Sequence, residues 1–322
     1  MAGDARVACA TTDSHTTKGT MSDSHLHLYP HRKGDPLPPP PPDHYTLDHI
    51  EAYVDKAMRR DVNELTFTEH LYRCVESADV MGNVWERASD PTIRANTEYD
   101  LLADRTMSLE RYVEVILKAK DAGLPVLLGL EIDFFPDNID AVLEFIDPYP
   151  WDVLLGSIHW IDGWWFDRPH SEFEWERLGP RRVYERYFEL MSEMAASGTI
   201  DIVTHPDRVK YLRKPFLTEQ VDLYASFLSA AQQSNVAIEI NTGGLRHPVH
   251  EIYPSPTFIR MIHEAGLAIT FGSDAHAPKQ AAWGLDLARE EAAEAGFTHR
   301  AKFVGRERTM VPFECPPPSF MD

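Results

Sequence analysis

The chain has 322 residues, 43% of them apolar, and a formal net charge of −20 at pH 7. That length suits one large α/β domain or two small ones, and the acidic balance argues against a nucleic-acid partner, because phosphate contacts need a basic surface. No apolar run approaches the roughly 20 residues of a membrane span, no apolar signal core opens the chain, and Cys9, Cys74 and Cys315 form no C-x-x-C spacing, so a soluble, cytoplasmic protein is expected.

Residues 1–20 are small, polar and aperiodic and are expected to be a disordered leader. A buried strand then ends in Asp23-Ser24-His25-Leu26-His27. Strand side chains at i and i+2 share a side, so His25 and His27 can address one ion. Pro38 to Pro42 cannot be helix or inner strand and are expected to form a stiff loop over the domain's mouth; a ligand for a proline-reading module is the alternative. Thr46 caps a helix running to about Arg60, with Leu47, Ile50, Val54 and Ala57 as its apolar stripe. Glu64 to Thr68 is a strand leading to Glu69 and His70, with Glu69 expected to point away from its neighbour. Residues 72–105 show no clear period and are expected to be an irregular insertion over one end of the domain.

Ser108 caps a helix to about Ala122, which Gly123 stops. Pro125 to Leu130 is a strand ending at Glu131 and Asp133, Ile139 to Phe145 a short helix, and Val153 to Ile158 a strand ending at His159. Residues 160–180 carry Trp160, Trp164, Trp165, Phe166 and Trp175 and read either as a pocket wall, with Asp162 able to meet an imidazole or amine, or as a satellite hydrophobic cluster. Arg181 to Ala196 is an amphipathic helix, and Ile200 to Thr204 a strand ending at His205. A helix over 218–233, a strand over 236–240 containing a buried and paired Glu239, a helix over 256–265 and a strand over 267–271 follow. The last of these delivers Asp274 and His276 by the same i, i+2 rule. A helix over about 285–295 ends the folded part. The expected organisation is one domain over residues 21–300, followed by a Pro-rich C-terminal tail over 301–322.

Strands alternating with helices imply a mostly parallel sheet, and about seven such units fit an α/β fold of the (β/α) barrel type. Candidate ligands fall after the C-terminal ends of its strands, where barrel active sites lie. A single histidine after a strand is more often a hydrogen-bonded loop residue than a ligand. Recurrence makes the case: His25, His27, His70, Glu131, His159, His205, Asp274 and His276 occupy the same kind of position, strand after strand. These are ligands for Zn²⁺, Mn²⁺ or Fe²⁺, and eight are too many for one tetrahedral ion. They suit two or three divalent ions sharing a bridging carboxylate, which can hold a phosphate and generate hydroxide near neutral pH. Arg246, after a strand in Asn241-Thr242-Gly243-Gly244-Leu245-Arg246, is the first candidate for gripping a phosphate, and Arg208 the second. His44, His49, His170, His250, His263 and His299 are expected at the surface.

The ordered set His25-Leu26-His27, Thr68-Glu69-His70, Gly129-Leu130-Glu131-Ile132-Asp133, Gly156-Ser157-Ile158-His159, Thr204-His205-Pro206-Asp207 and Gly272-Ser273-Asp274-Ala275-His276 resembles the polymerase-and-histidinol-phosphatase (PHP) superfamily, over residues 22–295. Within it the chain is most similar to the histidinol-phosphate phosphatase branch. The resemblance implies a distorted seven-stranded (β/α) barrel with a trinuclear centre. His25, His27, Glu131 and Asp274 would hold one metal; Glu131 would bridge to a second, bound also by His159 and His205; His70 and His276 would hold a third. Another histidine shortly after the first pair completes that third site in the family, and His31 is the candidate here, at a shorter spacing. Glu131, His159 and Asp274 would carry catalysis. The implied reaction is hydrolysis of a small amino-alcohol phosphate such as L-histidinol phosphate by metal-activated hydroxide. Alternatives are another small phosphorylated substrate, a nucleotide or cyclic phosphodiester, or a non-catalytic PHP-like binding module. An amidohydrolase-like chemistry lacks the lysine that would end a mid-barrel strand.

Overall fold

The computed structural model describes residues 21–31, 45–212 and 219–314. The leader 1–20, the polyproline segment 38–42, His44 and the chain from 315 onward lie outside these residues. The strands are β1 (Ser22–Leu26), β2 (Glu64–Phe67), β3 (Val126–Asp133), β4 (Val153–Ser157), β5 (Trp160–Ile161), β6 (Trp164–Trp165), β7 (Ile202–Val203), β8 (Ala237–Asn241), β9 (Ile269–Gly272), β10 (His299–Val304) and β11 (Glu307–Pro312). Seven of them form one sheet in the order β1-β2-β3-β4-β7-β8-β9, every pairing parallel. Spatial order equals chain order, so each crossover turns the same way and the sheet curls on itself. Its two edges meet where Leu26 bridges Ala275: the His27 amide donates to Ala275 O at 2.7 Å and the Asp274 amide to His25 O at 2.9 Å. This is the expected seven-stranded (β/α) barrel. Its distortion lies in the two-residue β7 and in a seam closed by a single bridge.

Local chemistry places the outer helices where the sequence put them. Thr46 caps Leu47–Met58 by accepting from His49 N, Ser108 caps Leu109–Asp121 by accepting from Arg111 N, and Ser255 caps Pro256–Glu264 by accepting from Phe258 N. Each turns an apolar stripe inward, such as Tyr112, Val115, Ile116 and Ala119 in the second. Trp160 and Trp164 sit on the β5–β6 hairpin and, with Trp175, belong to the main core, each no more than 2% exposed. A buried aromatic of that size removes about 150–250 Å² from water, worth roughly 4–6 kcal/mol. Neither sequence reading of this segment describes it fully, because the cluster is continuous with the core and Trp165 also lines the cavity described below.

Two expectations are corrected. Residues 72–105 are not irregular: three 3₁₀ turns and a short helix lead into a long helix, Pro91–Asp104, capped by Asp90. Its buried positions are Ile93, Thr97, Asp100, Leu101 and Asp104. The inward stripe has helical spacing but three of its five positions are polar, so a search for apolar periodicity passes over it. Residues 301–312 are not tail: β10 and β11 form an antiparallel hairpin around Gly305 and Arg306, both at positive φ. Ala301 and Phe303 pack under Val153, Leu155, Ile202 and Ala237, closing the bottom of the barrel. Arg306 N donates to Asp152 O at 2.8 Å, fastening the hairpin turn to the start of β4. The familiar Asn-Gly signal of such a turn is absent, and Gly305-Arg306 supplies the conformation instead.

Candidate metal centre

Every strand of the barrel ends at one mouth, and the candidate ligands gather there. His25 is the penultimate residue of β1 and His27 lies one residue beyond it; Glu131 lies within β3; His70, His159 and His205 each follow a strand by two or three residues. The strand-alternation argument fails for Asp274 and His276, since β9 stops at Gly272 and Asp274 sits at φ 53°. His205 also has positive φ, at 28°. Non-glycine residues rarely adopt this conformation, and it concentrates at functional sites. Here the turns swing both side chains back across the mouth.

Glu131 stands at the centre, fully buried. Its Oε2 lies 3.2 Å from His25 Nε2, 3.4 Å from His27 Nε2 and 2.8 Å from His70 Nδ1. Its Oε1 lies 3.3 Å from His205 Nε2 and 3.8 Å from His159 Nε2. Each oxygen therefore faces its own set of imidazoles, as a bridging carboxylate must. Asp274 Oδ1 lies 3.3 Å from His27 Nε2 and 3.6 Å from His276 Nδ1. Four overlapping trios have donor atoms within 4.8 Å of one another: His25, His27 and Asp274; His25, Glu131 and His205; His27, His70 and His276; and His70, Asp133 and His159.

Carboxylates behind the cluster orient its imidazoles. Glu239 Oε1 accepts from His25 Nδ1 at 2.9 Å, while its Oε2 accepts from the His205 amide, the Asn241 amide group and the Thr204 hydroxyl. Asp133 Oδ1 lies 2.6 Å from His159 Nδ1. Glu239 is thus buried and paired, as expected. Glu69 is not turned away: it is fully buried, accepts from Leu28 N and Arg73 Nη1, and lies 3.6 Å behind His27 Nδ1. Sequence reasoning gave Asp133 no role; its place two residues after Glu131 on one strand face was the available signal.

The residues fit a group of divalent cations, for reasons internal to the structure. His25 Nε2 and His27 Nε2 lie 3.0 Å apart, and the buried His70 Nε2 and His276 Nε2 have no hydrogen-bond partner among the described residues. Buried polar atoms left in that state are costly unless a cation sits among them. Burial holds the His70 and His276 rings well below the usual imidazole range and His205 at about 4, so these rings are neutral, as ligands must be. Burial alone would raise the Glu131 carboxyl, but His70 and His25 hold it well below the usual range.

A cavity of about 520 Å³ opens onto the cluster, with His31, His70, His159, Asp274 and His276 on its floor. Both predicted arginines line it. Arg208 donates Nε and Nη2 to Asp167 Oδ2 and presents Nη1 3.5 Å from Asp274 Oδ2. Arg246 spends Nη2 on Ser273 O and Asp274 O, at 2.6 and 2.9 Å. Asp162 lies outside this wall, exposed and paired with Arg186 at 3.0 Å; the acids that line the cavity beyond the floor are Asp100 and Asp167. Of the histidines expected at the surface, His170, His250, His263 and His299 are exposed, whereas His49 is half-buried with Nε2 on Leu28 O.

Comparison with known proteins agrees with this geometry. The PHP domain model matches residues 44–243. A probable histidinol-phosphatase of Deinococcus radiodurans is 30% identical over 293 residues, covering 87% of this chain and 97% of the relative. The histidinol-phosphatase of Bacillus subtilis is 27% identical over 258 residues, 72% of this chain and 89% of its own. Among solved structures, the histidinol phosphate phosphatase of Lactococcus lactis, complexed with zinc, L-histidinol and phosphate, superposes with a TM-score of 0.66 at 20% identity, over 90% of this chain and 99% of that one. With an aligned family model spanning most of the barrel and a set of candidate ligands assembled at its mouth, the chain belongs to the PHP domain family.

Proposed function

We propose that the protein is a metal-dependent phosphatase that hydrolyses a small amino-alcohol phosphate, L-histidinol phosphate being the substrate to test first. One observation carries the reading: members of the overlapping candidate-ligand trios and a buried guanidinium line a single cavity of small-molecule size. Similarity to proteins named histidinol-phosphatase supports the choice of substrate. The gathering of the candidate ligands at one mouth weighs against a non-catalytic module.

His25, His27, His70, Glu131, His159, His205, Asp274 and His276 would hold two or three divalent ions, with Glu131 bridging. When bound, such ions polarise a phosphoryl oxygen and supply an activated water near neutral pH. The remaining work falls to the chain. Arg208 grips the phosphoryl group, because its Nη1 points to the Asp274 side of the cluster and Asp167 fixes the fork; Arg246 acts beside it. The Arg208 guanidinium in turn holds the Asp167 carboxyl at about 2 against the upward push of burial, so the pair stays charged throughout the working range. Asp100, buried on the cavity wall and with His170 Nε2 3.0 Å away, would receive the ammonium group of the substrate. Trp165, whose face carries the Arg168 guanidinium at 3.6 Å, walls off water beside it.

The test is a panel of phosphomonoesters and diesters offered to the purified protein with Zn²⁺ or Mn²⁺. Release of phosphate from L-histidinol phosphate above all others is expected, and excess chelator should abolish it. Normal turnover in chelator would overturn the metal mechanism, and a preference for diesters would overturn the substrate.

A further inference from the structure

We propose that Asp104, from the inserted helix Pro91–Asp104, is a positioning residue that aims His31 at the third metal site. The inference rests on reading the cluster as a metal centre. His31 does not belong to any of the four close ligand trios, but its ring stands over one of them, 4.5 Å from the His276 ring and 5.0 Å from that of His70. Its Nδ1 lies 2.8 Å from Asp104 Oδ2. The Tyr72 hydroxyl lies 3.2 Å from the same oxygen and 3.2 Å from Nδ1, and Arg73 Nε lies 3.4 Å from Asp104 Oδ1. Arg73 also donates to the carbonyls of Tyr29 and Pro30, the two residues before His31.

The arrangement repeats a device used twice elsewhere in the mouth. Glu239 on His25 Nδ1 and Asp133 on His159 Nδ1 each leave Nε2 as the atom facing the cluster. A carboxylate on one ring nitrogen fixes the tautomer and makes the other a better ligand. Asp104 does the same for His31, and its side chain is fully buried to do so. The difference is its source. Glu239 and Asp133 come from barrel strands, whereas Asp104 comes from the insertion. A short His27–His31 spacing then needs an external brace, which the inserted helix supplies. This also explains a charged residue on that helix's buried face, where an apolar one would otherwise pack.

The experiment measures metal content by elemental analysis after loading with Zn²⁺ and removal of free ion. Wild type is expected to keep three equivalents. Asp104→Ala and His31→Ala should each keep two, and the double variant no fewer than two. Asp104→Asn, which retains an acceptor and the packing, should bind the third equivalent about 10–100-fold more weakly with the first two unchanged. If Asp104→Ala fails to fold, Asp104→Asn carries the test, with its metal-free melting temperature as the control for packing. A third equivalent bound as tightly in Asp104→Asn as in wild type, equal weakening of all three, or a wild type that takes only two would overturn the proposal. Phosphate release from histidinol phosphate is scored separately, so a wrong substrate leaves the metal count to stand alone.

Discussion

His25 Nδ1 and Glu239 Oε1 lie 2.9 Å apart, both side chains buried where the first and eighth strands of the chain reach the mouth of the barrel. Glu239 also receives the amide of His205. One carboxylate therefore orients the His25 imidazole and fixes the main chain that carries His205. Glu239→Gln should lower metal affinity about 10–100-fold, as loss of a partner behind a ligand does. Chelator competition on the folded variant checks this, and unchanged affinity would show that Glu239 serves packing alone.

Gly272 is the counterpart of that pair on β9. A Cβ there would overlap Glu239 Oε1 and lie 2.7 Å from His25 Cβ. Gly272→Ala should cost about 1–3 kcal/mol of stability, the usual range for overpacking, and should weaken metal binding at the same time. Thermal melts with and without Zn²⁺ report the two effects; a variant with wild-type values in both would mean that the strand shifts freely.

Asp274→Ala should reduce phosphate release by more than about 100-fold while the protein stays folded, since it removes a candidate ligand rather than core volume. Circular dichroism and metal content, read together, separate these. Retained activity would remove Asp274 from the centre.

Arg208→Lys keeps the charge but loses the planar fork that Asp167 holds. With one hydrogen bond to a charged group worth about 1.5–3 kcal/mol, kcat/KM should fall about 10–150-fold with metal content unaltered. Asp100→Asn should act differently, raising KM for the amine-bearing substrate and leaving a phosphomonoester without an amine unaffected. Equal losses on both substrates would deny Asp100 a role in recognition.

The pH dependence of metal loading follows from His25. Burial favours its neutral form, but Glu239, Glu131 and Asp274 outweigh that and raise its pKa well above the ordinary 6.5. Without metal, the ring carries a proton at neutral pH. The stabilisation from that charge is complete below 6.5 and is lost as pH rises through the raised value. A metal ligand must be neutral, so loading expels the proton and affinity climbs with pH. Calorimetry at pH 7 in buffers of different protonation enthalpy should register proton release; none would show that the ring is already neutral.

The positions of the candidate ligands along the chain, the alternation of strand and helix, and the pairing of Glu239 were all legible in the sequence, because they depend on local propensity and on residue types repeated at strand ends. Three matters were decided only in three dimensions. Asp274 and His276 reach the cluster through a left-handed turn, not through strand alternation, since closing the seam against Leu26 ends β9 early. Glu69 turns inward because Arg73, four residues on, meets it inside the fold. Asp100 and Asp104 occupy the buried face of a helix whose period is hidden, because that face looks onto a polar cavity and a histidine rather than onto a core. Apolar periodicity reveals a helix only when its inward side is dry; where it borders a site, the partners that justify a buried charge come from distant parts of the chain and appear only on folding.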